Sequence, residues 1–329
     1  MVTAVQPRAG RPVDHYACPA CRGKLLDAPG AFSCAACDRV YPVVDGIPIL
    51  LEEGIHEAHD ELEHLVDRSA NGHKRAQAAF FDDESAAEFE ITRPHGTPAL
   101  YGWLLSEKLR RATLGIESMI RGRDVLVICG GSGLDAEFYA RMGARVVSSD
   151  ISLGAARRTA ERARRYGLDI TPIVADAESL PFQDRSMDVV AVHDGLHHLE
   201  RPEPSLDEMA RVAGAAVSVT EPANAAITKL AVKLGLALDR EEAGNRVGRL
   251  DPADVSVRLG TQGFRMIRAD RYLMYYRHVP GAITRLLSRP LILPLMLASI
   301  RALNWIAGRF GNKMVVIATR EELGIGRLG

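Results

Sequence analysis

The order of motifs between residues 124 and 221 constrains this chain more than any other feature. Asp124-Val125-Leu126-Val127-Ile128 is a short apolar, β-branched run, which suits a parallel strand buried on both faces. It enters Cys129-Gly130-Gly131-Ser132-Gly133, and a helix is expected from Leu134 to Met142. Glycines there permit a sharp turn and let the backbone approach a ligand closely. Strand, glycine turn and helix together form a nucleotide-binding layout. A second strand ends at Asp150, 17 residues after Gly133, where a carboxylate can accept both hydroxyls of a ribose. A basic helix follows, and then a third strand running into Ala175-Asp176-Ala177. Asp176 is placed to accept a hydrogen bond from an adenine amino group. A fourth strand, 187–192, leads into His193-Asp194-Gly195-Leu196-His197-His198-Leu199, and a helix and a fifth strand, 215–220, complete the series.

This order resembles the class I S-adenosylmethionine (SAM)-dependent methyltransferases over residues 122–221, with a weaker continuation to 320. An NAD-binding domain would also place an acid after its second strand. It would not usually pair that acid with Val174-Ala175-Asp176-Ala177 and the Leu196-His197-His198-Leu199 phrase. The resemblance implies an α/β fold with a Rossmann-like, seven-stranded methyltransferase sheet and SAM as cofactor. It implies that Gly131 and Gly133 face the methionine part, Asp150 holds the ribose and Ile151 packs on the adenine. Asp176 and Ala177 would read the adenine edge, and His193 would lie beside the sulfonium. Two residues depart from the family pattern: Val127 stands where an acid is usual, and Cys129 where a glycine is usual. Asp135 or Glu137 could substitute for the missing carboxylate, or could serve as helix N-terminal acids.

Four of the five cysteines fall in the first 37 residues, as Cys18-x2-Cys21 and Cys34-x2-Cys37 separated by twelve residues. Each tight turn can aim two sulfurs at one point, and two turns supply a closed tetrahedral Zn²⁺ site. A closed site leaves no position open for chemistry, so this zinc is expected to be structural. With the tail Pro42-Val43-Val44-Asp45-Gly46-Ile47-Pro48, residues 14–52 resemble the small zinc-ribbon activator of tRNA and release-factor methyltransferases. In that family the ribbon is often a separate subunit; here it is fused.

Residues 53–121 read as a helical linker or a lid over the cofactor. Ile55, Leu62, Leu65 and Val66 have helical spacing, and His56, His59, His64 and His73 fall in the same stretch. Leu104, Leu105, Leu109 and Leu114 are expected on one side of a helix from Leu100 to Arg121. The methyltransferase part, 122–320, carries two helical insertions, at about 223–250 and 278–312. Strand six is expected within 264–276 and strand seven at 313–319. Pro294 is expected to break or kink the second insertion, and Arg285, Arg289, Arg301 and Arg309 punctuate it. That insertion admits three readings: a cap over the substrate, a homodimer contact, or a peripheral membrane contact through 285–309.

The net charge is −1, with 41 basic and 42 acidic side chains, so there is no bulk attraction to nucleic acid. The apolar run Leu291–Ile300 is too short to span a bilayer, and the first ten residues lack a signal-peptide core. A cytoplasmic protein is the expectation.

Methyl transfer is an in-line displacement, in which a protein mainly positions the reactants and excludes water. His193, Asp194 and His197 are the candidate catalytic residues, and a structural role is the competing reading for His197 and His198. The main expectation is a SAM-dependent methyltransferase acting on a small-molecule or lipid-like acceptor. One alternative is a modifier or adaptor that reaches RNA or protein of the translation machinery through the ribbon; a basic face around Arg157–Arg165 would favour it. Another is a SAM-binding protein without methyl transfer, suggested by Val127 and Cys129.

Overall fold

The computed structural model describes residues 15–52, 70–83, 85–225, 228 and 249–320. The ribbon contributes four short strands: β1 (Leu25–Ala28), β2 (Ala31–Cys34), β3 (Val40–Val44) and β4 (Ile47–Leu50). Three helices follow: α1 (Ala70–Asp82), α2 (Ala87–Thr92) and α3 (Ala99–Thr113). Then come β5 (Asp124–Ile128), α4 (Leu134–Arg141), β6 (Arg145–Asp150), α5 (Leu153–Tyr166), β7 (Ile170–Ala175), β8 (Met187–His193), α6 (Pro202–Val212) and β9 (Ala213–Pro222). The chain closes with α7 (Pro252–Thr261), β10 (Phe264–Tyr272), α8 (Ala282–Leu287), α9 (Leu293–Ala307) and β11 (Lys313–Arg320).

The strands form one sheet in the order β1-β2-β3-β4-β7-β6-β5-β8-β9-β11-β10. From β7 to β10 this is the expected seven-stranded methyltransferase sheet. Its central strands are parallel, and β11 is inserted antiparallel between β9 and β10. The strand order reverses between β5 and β8, so the carboxyl ends of β5 to β8 open a crevice for a ligand.

The ribbon is part of this sheet. β4 pairs in parallel with β7, matching Ile49 to Val174 and Leu50 to Ala175. Pro172 has no N–H to offer a neighbour, and the β4 pairing begins two residues beyond it. Tyr16 packs edge-on against Phe182 at 5.5 Å, and the Ala17 N–H donates to the Pro181 carbonyl at 3.0 Å. Arg22 reaches across to Glu208 at 2.9 Å. Tyr16, Phe32 and Tyr41 of the ribbon share one hydrophobic core with Phe182, Val190 and Met209.

Two helices differ from expectation. α3 stops at Thr113, because Gly115 turns the chain at φ +95 and the Thr113 hydroxyl bonds back to the Arg110 carbonyl; a short 3-10 turn at Glu117–Met119 follows. α9 is continuous, and Pro294 lies in its first turn, where no intrahelical N–H is required. The amphipathic stretch expected around Ile55–Val66, with His56, His59 and His64, lies outside the described residues. So does most of the insertion expected at about 223–250.

Candidate active site

Gly131 (φ +52) and Gly133 (φ +78) both adopt the left-handed conformation that glycine tolerates. A Cβ on Gly133 would lie 2.9 Å from the Thr159 hydroxyl, whereas Gly131 faces open space. Its N–H donates to Asp150 Oδ2 at 2.8 Å, and the Ser152 N–H donates to Oδ1 at 3.0 Å. Burial pushes the Asp150 carboxyl up, against the pull of those two amides. Cys129 stands at φ +51, a conformation that costs a side chain about 1–2 kcal/mol; this accounts for glycine as the usual residue there.

Asp176 follows directly on β7, one strand over from Asp150. Its Oδ1 accepts the Glu178 N–H at 2.9 Å. Ile151 is half-buried and Ala177 buried beside these acids. The two carboxylates at adjacent strand tips, with the open space at Gly131, fit the ribose, adenine and methionine parts of SAM.

α1 lies across this crevice. Lys74 reaches Asp176 at 2.5 Å and Glu178 at 2.9 Å. His73 Nε2 is 2.9 Å from the His198 carbonyl, and Phe81 meets the His198 ring edge-on. At the other end Asp82 accepts from the Ser152 hydroxyl at 2.6 Å and the Gly154 N–H at 2.7 Å. Arg158 and Arg162 of α5 fasten the same segment by donating to carbonyls of Phe81, Asp83, Glu90 and Arg93. The side chain of Arg162 is fully buried against Glu137 at 2.6 Å.

The end of β8 holds the remaining candidates. His193 Nδ1 is 2.9 Å from Asp135 Oδ1, and its Nε2 is buried without a hydrogen-bond partner among the described residues. Asp135 is thus the acid of the α4 first turn that turns to the site, while Glu137 is taken by Arg162, Arg141 and His95. Asp194 receives Lys108 and, at 2.9 Å, Lys313. Burial alone would push its carboxyl up, but the two ammonium groups hold it well below the usual carboxylate range. Lys108 also donates to the Tyr276 hydroxyl at 2.7 Å. His197 turns away, into a buried contact with Glu221 at 2.8 Å. The other Glu221 oxygen accepts the N–H groups of Gly195 and Leu196, each at 2.8 Å.

Lys108, Lys313, Tyr276, Lys74 and Glu221 did not emerge from the sequence as a cluster. Lys108 had a legible signal: it stands four residues after Leu104 and four before Ala112, on the buried stripe of α3. A lysine in that stripe needs a partner. Among the tyrosines that end β10 and follow it, Tyr272 is core, Tyr275 is exposed, and Tyr276 joins the cluster.

At the other end, the four cysteine sulfurs lie within 4.8 Å of one another. Cys18 and Cys37 are 3.7 Å apart, and Cys21 and Cys34 are 3.4 Å apart. Tetrahedral zinc with bonds of about 2.3 Å needs sulfurs about 3.8 Å apart, so this donor set fits structural zinc. Against the pull of the Gly23 amide, the Cys37 and Cys34 thiols push Cys21 up to about 12. A central cation would remove that conflict.

Comparison with known proteins agrees with this layout. Residues 126–215 match the methyltransferase domain family, and residues 17–46 match the Trm112p-like protein family. The chain therefore carries a methyltransferase domain behind a Trm112p-like segment. It is 33% identical over 135 residues to a demethylmenaquinone methyltransferase of Renibacterium salmoninarum, covering 41% of this chain and 53% of that protein. A demethylmenaquinone methyltransferase of Thermobifida fusca is 37% identical over 106 residues, covering 31% of this chain and 44% of that protein. The chain thus spans about half the length of the curated relatives it matches. Magnesium protoporphyrin IX methyltransferase from Synechocystis, solved with bound SAH, shares the fold. It has a TM-score of 0.52 and 18% identity, covering 75% of this chain and 99% of that one.

Proposed function

We propose that this chain transfers the methyl group of SAM to a small, apolar ring acceptor of the quinone class in its reduced, hydroxylated form. The observation that carries this reading is His193: its Nδ1 is held by Asp135, and its buried Nε2 is unpaired at the end of β8. The names of the matched relatives supply the acceptor class.

When bound, SAM supplies an electrophilic methyl group on a sulfonium. Gly131, Asp150, Ile151, Asp176 and Ala177 would hold it, with the α1 segment excluding water from above. His193 Nε2 takes the proton that the acceptor loses, and Asp135 keeps the Nδ1 proton in place and steadies the imidazolium. Asp194 is paired twice, so it does not serve as the base; with Lys108 and Lys313 it forms a group of net positive charge. That group favours the oxyanion of a deprotonated hydroxyquinol ring. His197 acts through Glu221 to fix the 195–198 turn rather than by touching the acceptor. An apolar acceptor of this kind partitions into lipid.

The alternative of an RNA or protein modifier is disfavoured by the fate of the α5 arginines. Arg157 pairs with Asp45, Arg162 with Glu137, Arg164 with Glu161, and Arg165 with Glu88, so they do not form a free basic face. The test is SAM binding by calorimetry on zinc-loaded protein, followed by transfer of labelled methyl to a demethylated naphthoquinol. SAM binding with labelling only of RNA or protein fractions would reject the quinone reading. SAM binding without labelling of any acceptor would favour a binding protein.

A further inference from the structure

α9 is apolar on two sides. Leu293, Met296, Leu297 and Ile300 pack against the core beside α3. Asn304 anchors the helix by bonding both the N–H and the carbonyl of Leu273. The opposite side carries Leu295, Ala298, Ala302, Trp305 and Ile306 at helical spacing, all exposed, and Leu291 in the turn before the helix is exposed as well. Leu291 is 95% exposed and Trp305 88%. A helix with apolar residues on both its inner and outer sides suits a core or lipid, and among the described residues nothing covers the outer side. Ile283 and Leu286 of α8 extend the same exposed surface.

The segment itself carries charge of one sign, and the carboxylate of Glu90 reaches it at His278, at 2.5 Å. Residues 273–312 contain Arg277, Arg285, Arg289, Arg301 and Arg309, and no aspartate or glutamate. All five are exposed, and among the described residues none meets a carboxylate. Many arginines elsewhere are neutralised, as Arg211 is by Glu208 and Arg258 by Asp207. Arg301 instead stacks over Trp103 and Arg309 over Phe310.

We propose that the α8–α9 face docks on an anionic lipid bilayer, with the outer side of α9 lying in the headgroup region and the five arginines meeting lipid phosphates. The 15 residues of α9 measure about 22 Å, short of the ~30 Å hydrocarbon core, so the helix lies in the surface rather than across it. A second copy of the chain fits less well, because apposed faces would bring two sets of unpaired arginines together. Tyr276, which meets Lys108, directly precedes Arg277, so docking brings the lipid close to the Lys108–Asp194 cluster of the candidate site. That consequence rests on the proposed function; the docking itself does not.

Sedimentation of the full zinc-loaded chain with phosphatidylcholine vesicles, with and without phosphatidylglycerol, tests this without reading methyl transfer. Phosphatidylglycerol should raise the bound fraction about tenfold, high salt should reverse it, and tryptophan emission should shift to the blue. Trp305→Ser should abolish the shift. Leu291→Glu with Leu295→Glu should abolish sedimentation while retaining the wild-type circular dichroism. Should the glutamate variant not fold, Arg285→Gln with Arg289→Gln and Arg309→Gln should weaken binding selectively for anionic vesicles. Failure to bind either vesicle overturns the proposal, as does equal binding to both. So does a concentration-dependent dimer by light scattering that Trp305→Ser dissolves.

Discussion

Glu221 and His197 meet at 2.8 Å in a place where the Glu221 side chain has no exposure at all. One carboxylate thereby ties the tip of β9 to three points on the turn after β8. Glu221→Ala would strand two amides and an imidazole nitrogen in a dry interior, at a cost of about 3 kcal/mol. Glu221→Gln keeps an oxygen for the amides and should cost less than half of that. Urea denaturation of the two variants measures the difference.

His193→Asn is expected to lower kcat about 100-fold with little change in SAM affinity. Asp135→Asn should also lower kcat, by disturbing the imidazole rather than the cofactor. Because Asp135 acts through His193, its variant should alter the pH–rate profile, which a purely structural role would leave in shape.

Asp150→Ala should weaken SAM binding about tenfold or more, since a carboxylate–hydroxyl hydrogen bond contributes about 1.5–3 kcal/mol. Calorimetry reads this directly. Equal affinity in variant and parent would remove Asp150 from the ribose.

Asp194 carries a pH signature. Its carboxyl is held low by Lys108 and Lys313, so its stabilising effect is complete above the ordinary carboxylate pKa, about 4, and is lost as pH falls through the lower folded value. Asp194→Asn should cost about 3 kcal/mol at neutral pH, because it leaves Lys108 buried without its partner charge. The gap between parent and variant should stay flat from pH 8 to about 5 and narrow only in stronger acid. Denaturation midpoints at pH 7 and pH 3 would reveal it.

Stripping zinc with a chelator is expected to lower Tm by about 5–10 °C and to reduce SAM affinity, whereas a closed structural site predicts no direct loss of chemistry. Differential scanning calorimetry with and without zinc restoration checks both.

Local signals carried most of the architecture. The β-branched run before Gly130, the acids after β6 and β7, and the cysteine knuckles each lie within a few residues of the structure they specify. The electrostatic cluster was less legible because its members come from α3, β8, β10–α8 and β11, and only tertiary packing joins Lys108 to Asp194 and Lys313. Lys74 was hidden for the same reason: its partners Asp176 and Glu178 lie a hundred residues on. The sequence marks α5 as a basic helix without saying which way its arginines face, and Arg158 and Arg162 point inward to fasten the segment above them.

The junction of β4 with β7 has a consequence for how the chain is made. The ribbon leaves the ribosome before β7, and the partner of Ile49, Val174, is synthesised well over a hundred residues later. Until then the outer edge of β4 is a nascent strand with unpaired backbone groups, open to the wrong neighbour. Early capture of metal would give the ribbon something to fold around while it waits. The residue that completes the pairing, Ala175, stands immediately before Asp176, so closing the β4 edge and placing Asp176 in the candidate site belong to one event.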